Sequence, residues 1–286
     1  MSTGRAVSLT VYGGLLREEL AFFRAVDSAL SKGLVPERAE LSAVYPKGTP
    51  EEAVKASREA FGSAALSENI AVSGESVSFS EKQHISAFTV AISGRFEGTY
   101  GTPEAPKALP GQALLLTRFP GDTGAMLFLQ ERREFLSGIF SSSFLRPVSD
   151  NREQLSSSKD AAIFRRHGAA MQDVSEGGIL RALWEFSKNA GCGFSVDLTG
   201  IPMHQETIEI AEALGLDPYA LYSSGCMLAA VSDGNAVLRE LHASGIPAER
   251  IGVIRGDKKK LLLHDEEERH LDRPKPDPVY ILENFG

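Results

Sequence analysis

Residues 171–231 read MQDVSEGGILRALWEFSKNAGCGFSVDLTGIPMHQETIEIAEALGLDPYALYSSGCMLAAV. A strand-like approach, Met171 to Val174, runs into a helix that carries Leu180, Leu183, Trp184 and Ser187 on one face, with Ile179 and Phe186 beside it. Ser175 stands at the N-cap position, and Gly177 and Gly178 fall in the first turn. Glycines there leave backbone N–H groups unshielded, so an anion can approach the positive end of the helix dipole. The same residues also fit a plain capped helix whose glycines only permit close packing, and the local pattern leaves both readings open. Downstream, Phe194–Asp197, Cys226–Val231 and Ile251–Ile254 read as strands, separated by helices Gln205–Leu214, closed by Gly215, and Gly234–Ala243, closed by Gly245. The tail segment KKKLLLHDEEERHLDR reads as a short apolar strand on a solvated edge. This alternation is that of a layered α/β or α+β domain.

Upstream, Ala6–Tyr12 reads as a strand and Arg17–Lys32 as an amphipathic helix stopped by Gly33, with Pro36 beyond it. Strand Ala39–Tyr45 leads to Thr49-Pro50-Glu51-Glu52, whose hydroxyl, proline and glutamate predict a capped helix to about Phe61, ending at Gly62. A strand at Ile70–Val72 is expected to break at Ser73-Gly74-Glu75-Ser76, and a longer one spans Ile85–Ser93. Residues 98–110, rich in glycine and proline, mark a loop or domain junction before the buried strand Gln112–Thr117. Gly121-Asp122-Thr123-Gly124 reads as a turn before a helix over Ala125–Gln130, and the polar run Ser149–Asp160 as a mobile loop or solvated helix start.

The chain of 286 residues has room for one large or two modest domains. Its 30 Lys+Arg against 38 Asp+Glu, a net charge of -8, and the lack of a basic stripe exclude duplex DNA and anionic membranes as partners. No run reaches the roughly 20 apolar residues of a spanning helix, and the start lacks a signal-peptide apolar core, so a soluble cytoplasmic protein is expected. Cys192 and Cys226 form no CxxC pair and read as buried reduced thiols. The six histidines form no HExxH or His-x-His pattern, which excludes a zinc hydrolase.

Taken together, these blocks resemble the AIR synthase-related superfamily, which includes aminoimidazole ribonucleotide synthase, the hydrogenase maturation factor that dehydrates a thiocarboxamide, selenophosphate synthase and thiamine-monophosphate kinase. The nearest flavour is an orphan branch beside the hydrogenase maturation factor. The resemblance rests on the Asp-x-Ser-x-Gly-Gly helix start at Asp173–Gly178 and on the Leu-Gly-Leu-Asp-Pro turn before Ser-Ser-Gly. Leu109–Thr117 and Pro120–Gly124 resemble the family's strand and glycine-rich turn. Val26-Asp27-Ser28-Ala29 with Gly33 and Pro36 can be laid on its first-domain helix, Ser28 standing where the family has an aspartate. Ser73–Ser76 resembles its Gly-Gly-acid-Thr turn with one glycine lost. The front of the first domain has no counterpart.

The resemblance implies a two-domain AIR synthase-like fold, with a truncated first domain over residues 1–95 and a second, over 96–286, of mixed sheet covered by helices. It implies ATP and Mg²⁺ as ligands, with Gly74, Gly121, Thr123, Gly124, Ser175, Gly177 and Gly178 binding the nucleotide. Asp173 and Glu75 are then the catalytic acids, and Asp27 and Glu75 the metal ligands. A homodimer through first-domain strands such as Ile85–Ser93 is expected. The tail ends without cysteine, so the thiocarboxamide carrier role does not transfer, nor does selenophosphate synthesis without an N-terminal cysteine. Two functions remain open: an ATP-dependent phosphotransferase or ligase acting on a small-molecule acceptor, and a non-catalytic dimeric scaffold or regulatory anion-binding relative.

Overall fold

Ala39, Leu41, Ala43 and Tyr45, every second residue of the run, are all buried, so β2 (Leu34–Pro46) is a strand with one face in the core and one in solvent. The computed structural model to which it belongs describes residues 3–13, 18–149, 155–265 and 267–280. Contacts divide the chain into two compact units, Met1–Glu104 and Ala105–Gly286, the division falling inside the glycine- and proline-rich loop.

In the first unit, β1 (Thr3–Gly13), β4 (Ser86–Phe96), β2 and β3 (Ala71–Ser80) form a sheet in that order. The first two pairings are antiparallel and β2–β3 is parallel, joined through α2 (Glu51–Ser67) as parallel neighbours require. Helix α1 (Glu18–Ser31) is buried along most of its length, and its Phe22 meets Phe61 of α2 edge to face at 5.5 Å. Arg17, expected in this helix, lies outside the described residues.

Four expectations for this unit are corrected. Helix α2 does not stop at Gly62, because Ala64 and Ala65 beyond it are buried; it ends where Asn69 takes φ 56 and Ile70 N donates to Ala65 O at 2.9 Å. Thr49 does not cap it: its hydroxyl donates to Pro46 O at 2.8 Å, and Pro50 is the N-cap. Ser73–Ser76 is no turn but lies within β3, opposite β2. The register slips by one residue between Ala39↔Val72 and Glu40↔Gly74, so Ser73 is the extra residue of a bulge and bonds Ala39 O at 3.2 Å. Finally, β4 is flanked on both sides, so it has no free edge to offer a second copy; β1 and β3 are the edge strands.

The second unit is a mixed seven-stranded sheet in the order β11 (Glu267–His270), β10 (Lys260–His264), β7 (Gly193–Asp197), β9 (Ala248–Arg255), β5 (Ala113–Thr117), β8 (Cys226–Val231), β6 (Ala170–Val174). Only β10–β7 is parallel. Helix α7 (Gly178–Ala190) buries Ile179, Ala182, Leu183 and Phe186 against Leu114, Leu116, Phe194, Val196 and Leu228. Ile179, Leu183 and Phe186 each contribute about 1.5–3 kcal/mol on leaving water, Ala182 less. The expected face is thus rotated: Leu180 and Trp184 are half-buried at its margin.

A smaller core joins α3 (Asp122–Glu131), α5 (Ser142–Ser149) and α8 (Gln205–Ala213) through Met126, Leu129, Leu145 and Ile210, with α4 (Arg133–Ile139) supplying Leu136. Helix α3 begins at Asp122, three residues before the expected Ala125, because Gly121 turns the chain at φ 90. Helices α6 (Ser158–Arg166) and α9 (Gly234–Ala243) complete the unit. The polar run before Asp160 is not a solvated loop at its described end: Ser157 and Asp160 are fully buried, and Asp160 takes a two-pronged pair from Arg118 at 3.0 and 3.1 Å. Residues 150–154 and 281–286 lie outside the described residues. Among the described residues, no helix is long and apolar enough to cross a membrane.

Candidate functional site

In the second unit β6 delivers Asp173 and Ser175 to the start of α7. The Ser175 hydroxyl donates to Asp173 Oδ2 at 3.0 Å, and Gln172 Nε2 to Asp173 Oδ1 at 3.1 Å. Ser175 is therefore not the N-cap; Gly177, at φ 76, holds that position with no side-chain cap. Its amide is not unshielded either: it donates at 2.6 Å to Oδ2 of Asp277, a carboxylate 100 residues away and only 1% exposed. The other carboxylate oxygen accepts from Val279 N at 2.9 Å. The chain thus places one of its own oxyanions at the positive end of α7.

Gly178 has a different reason. At φ 62, a Cβ there would lie 2.4 Å from Tyr219 O and 2.6 Å from Leu221 O, so it is the packing of the 219–221 backbone that demands glycine.

The loop Leu221–Ser224 ties this start to that of α3. Ser223 N donates to Ser175 O at 3.1 Å, and the Ser223 hydroxyl accepts from Gly121 N at 2.7 Å. Gly124 N donates to Tyr222 O at 2.8 Å, and the Thr123 hydroxyl to Ser224 O at 3.4 Å. Gly121, Thr123, Gly124, Asp173, Ser175, Gly177 and Gly178 are therefore brought together, but the first three are buried and hydrogen-bonded to this loop.

Besides Asp277, two residues of this neighbourhood, Asp122 and His204, were given no role in the sequence reading. Asp122 is buried, and accepts from Thr207 Oγ1 at 2.6 Å while sharing a 2.8 Å bond with His204 Nδ1. The His204 ring stacks on Phe119 at 3.9 Å, and its bond to Asp122 raises the imidazole above its ordinary range. The signal available was Asp122 standing between the two glycines of Gly121–Gly124.

In the first unit, Gly74 and Glu75 lie on β3 opposite Glu40 and Leu41. A Cβ on Gly74 would meet only Glu40 Cγ at 3.7 Å, so this glycine makes no cradle. Glu75 is held by Arg58 of α2, with Nε at 2.8 Å and a second, shorter bond from the other prong. Nearby, Glu18 is fully buried and accepts from the Tyr45 hydroxyl; burial pushes its carboxyl up, against Tyr45 and Ser57, and Glu75 adds to the rise. Burial likewise drives the Tyr45 phenol up. Asp27 is buried in α1. Glu75 is neutralised by Arg58, and no group of three or more His, Cys, Asp or Glu able to hold a metal occurs among the described residues. Glu75 thus offers a magnesium ion a carboxylate already paired with Arg58, and Asp27 one buried inside α1.

A mixed seven-stranded sheet with a doubly glycine-started helix tied to the α3 start defines a layered α/β module. Residues 110–264 match the AIR synthase related protein C-terminal domain, and the chain belongs to that family. It is 32% identical over 168 residues to carbamoyl dehydratase HypE of Rhizobium leguminosarum bv. viciae, a match covering 54% of this chain and 46% of that relative. The matched stretch thus spans less than half of the relative's length. Among solved structures, the E. coli hydrogenase maturation protein HypE superposes with a TM-score of 0.80 at 22% identity, covering 98% of this chain and 88% of that one. A HypE in complex with ATP superposes at 0.74 and 18% identity, covering 98% and 88%. At these identities the likeness shows the fold alone.

Proposed function

We propose that the chain binds ATP through the start of α7, with a nucleotide phosphate taking the place of the Asp277 carboxylate on the Gly177 amide. The observation that carries this reading is that amide's 2.6 Å bond to a buried oxyanion, which makes the position an anion site already in use. The ATP complex of a fold neighbour supports it. Gly121, Thr123 and Gly124 act behind it, fixing the Leu221–Ser224 loop on which Gly178 packs. Asp173 accepts the proton of an acceptor hydroxyl or amide during phosphoryl transfer to a small molecule, and Ser175 and Gln172 orient it. Calorimetric titration with ATP, with and without Mg²⁺, tests the binding step. Saturation at millimolar nucleotide or below is expected, and its absence in both conditions refutes the reading.

The pairing of Glu75 with Arg58 favours a second reading, a non-catalytic relative that keeps the anion site for regulation. ATP binding with no ADP formed over hours, across a panel of acceptors, would select it. In either case we infer a homodimer through an edge of the first sheet. Strand β3 is exposed along most of its length, with Phe79 55% accessible, and a sheet edge of this kind pairs readily with another strand. Native mass spectrometry at twice the chain mass is the expected result, and a single-chain mass at micromolar concentration removes the inference.

A further inference from the structure

The other end of α7 carries a second feature. A cavity of about 210 Å³ opens there, lined by Trp184, Ser187, Lys188, Cys192, Lys258 and Lys260 together with Gly191. At about 1.5 Å per residue, this cavity spans roughly 10–20 Å along the helix from Gly177, from Trp184 to the helix end. It is cationic in a chain of net charge -8, and no acidic side chain lines it.

Its lysines stand on a fixed backbone. Gly193 N donates to Asp257 O at 2.6 Å and Phe194 N to Lys259 O at 2.9 Å, and a Cβ on Gly193 would lie 2.2 Å from Lys259 O. The turn bearing Lys258 and Lys260 is thereby clamped to β7. The turn's only acid, Asp257, is already engaged: Arg255 grips it with Nε at 2.8 Å and the other prong at 2.7 Å, and Lys259 N adds a bond at 3.2 Å. Lys260 Nζ lies 4.6 Å from the centroid of Trp184, the chain's single tryptophan, and Lys188 projects from the last turn of α7. Some of this positive charge complements the carbonyl end of the helix. Three lysines around an aromatic-walled hollow go beyond that, since one cation in the last turn serves the dipole.

We propose that this cavity binds a small aromatic oxyanion, a single-ring phosphate ester or carboxylate, its ring against Trp184 and its charged group between Lys188 and Lys258. The volume sets the class. It is below the roughly 300 Å³ at which pockets for drug-sized ligands begin, which excludes a whole nucleotide but admits one ring with its anionic group.

The single tryptophan reports directly on the site. Titration with phenyl phosphate at constant ionic strength is expected to give a saturable change in Trp184 emission and to slow alkylation of Cys192, while phenol does neither. Lys188→Gln with Lys258→Gln is expected to weaken binding tenfold or more, since each lysine supplies a charge-assisted hydrogen bond to the anion. Either single substitution, on an exposed surface, serves if the pair fails to fold. No saturable change in emission, alkylation rate or calorimetric heat up to 20-fold above about 1 mM ligand overturns the proposal, as does undiminished binding to the folded lysine variants. Binding that persists in Asp277→Ala and in the presence of ATP separates this cavity from the α7 start.

Discussion

Replacing Asp277 by alanine is expected to make the protein less stable and a better nucleotide binder. In the resting chain the Asp277 carboxylate is 1% exposed and accepts from Gly177 N at 2.6 Å, at the positive end of a 13-residue helix. A hydrogen bond to a charged group contributes about 1.5–3 kcal/mol net. A phosphate that takes the same amide forgoes that contribution, and since about 1.4 kcal/mol is tenfold in affinity, Asp277 weakens ATP binding by roughly ten- to a hundredfold. Asp277→Ala is expected to recover that factor in a calorimetric titration, while the melting temperature without ligand falls by about 3–10 °C. Asp277→Asn keeps an acceptor oxygen but loses the charge, and lies between the two on both measures. If Asp277→Ala melts earlier but binds ATP no more tightly, the carboxylate is a structural strut and phosphate binds elsewhere. If the melting temperature does not move, the contact itself contributes nothing and the competition argument fails at its first step.

Three further outcomes are expected. Arg118→Met strands the fully buried Asp160 without its two-pronged partner and should cost about 3–5 kcal/mol in urea melts, with Arg118→Met/Asp160→Leu recovering most of it; a single variant within 1 kcal/mol of wild type, on the roughly 1 kcal/mol scale of a surface pair, contradicts this. Burial raises the Glu18 carboxyl above 4.5, so the stability that its neutral form allows is complete below pH 4.5 and lost as pH rises through the folded value; Glu18→Gln should therefore out-stabilise wild type at pH 7.5 and converge with it at pH 4, and an equal difference at both pH values would point to packing instead. His204 titrates above 6.5 through its bond to Asp122, so its contribution is present below pH 6.5 and fades as pH climbs past the folded value; the stability gap between wild type and His204→Gln should narrow between pH 6 and pH 9, and an imidazole NMR midpoint at or below 6.5 would remove the basis for it.

Most of the second unit was legible because its central strands are short apolar runs buried on both faces, its helices are amphipathic, and turn residues close them. Strand Cys226–Val231 and helix Gly234–Ala243 appear with the bounds read from the sequence. The first unit was harder, because local signals there lost to tertiary packing and strand pairing. Ser73-Gly74-Glu75-Ser76 has the composition of a turn, yet a parallel partner in β2 draws it into a ladder at the cost of one bulged serine. Gly62 has the composition of a helix stop, yet Phe61, Ala64 and Ala65 bury the turns on both sides of it, and packing of an apolar face outweighs about 1 kcal/mol of glycine propensity.

The site was legible only as far as neighbours in sequence could carry it. Asp277 reaches Gly177 across 100 residues and His204 reaches Asp122 across 82, and a proline-flanked aspartate in a tail offers no periodicity from which such a contact follows. The glycine pair is more instructive. Its local pattern left two readings open, an anion approaching a bare helix start or a close-packed backbone, and the structure divides them between the two residues. Gly178 is glycine because the carbonyls of Tyr219 and Leu221 occupy the space a Cβ would take. Gly177, at φ 76 with its amide on a carboxylate, is the one that meets an anion. A side chain at Gly178 would therefore spread the 219–221 loop and disturb the α3 start with it, whereas the anion chemistry rests on one amide and on whichever oxyanion, Asp277 or a phosphate, holds it more tightly.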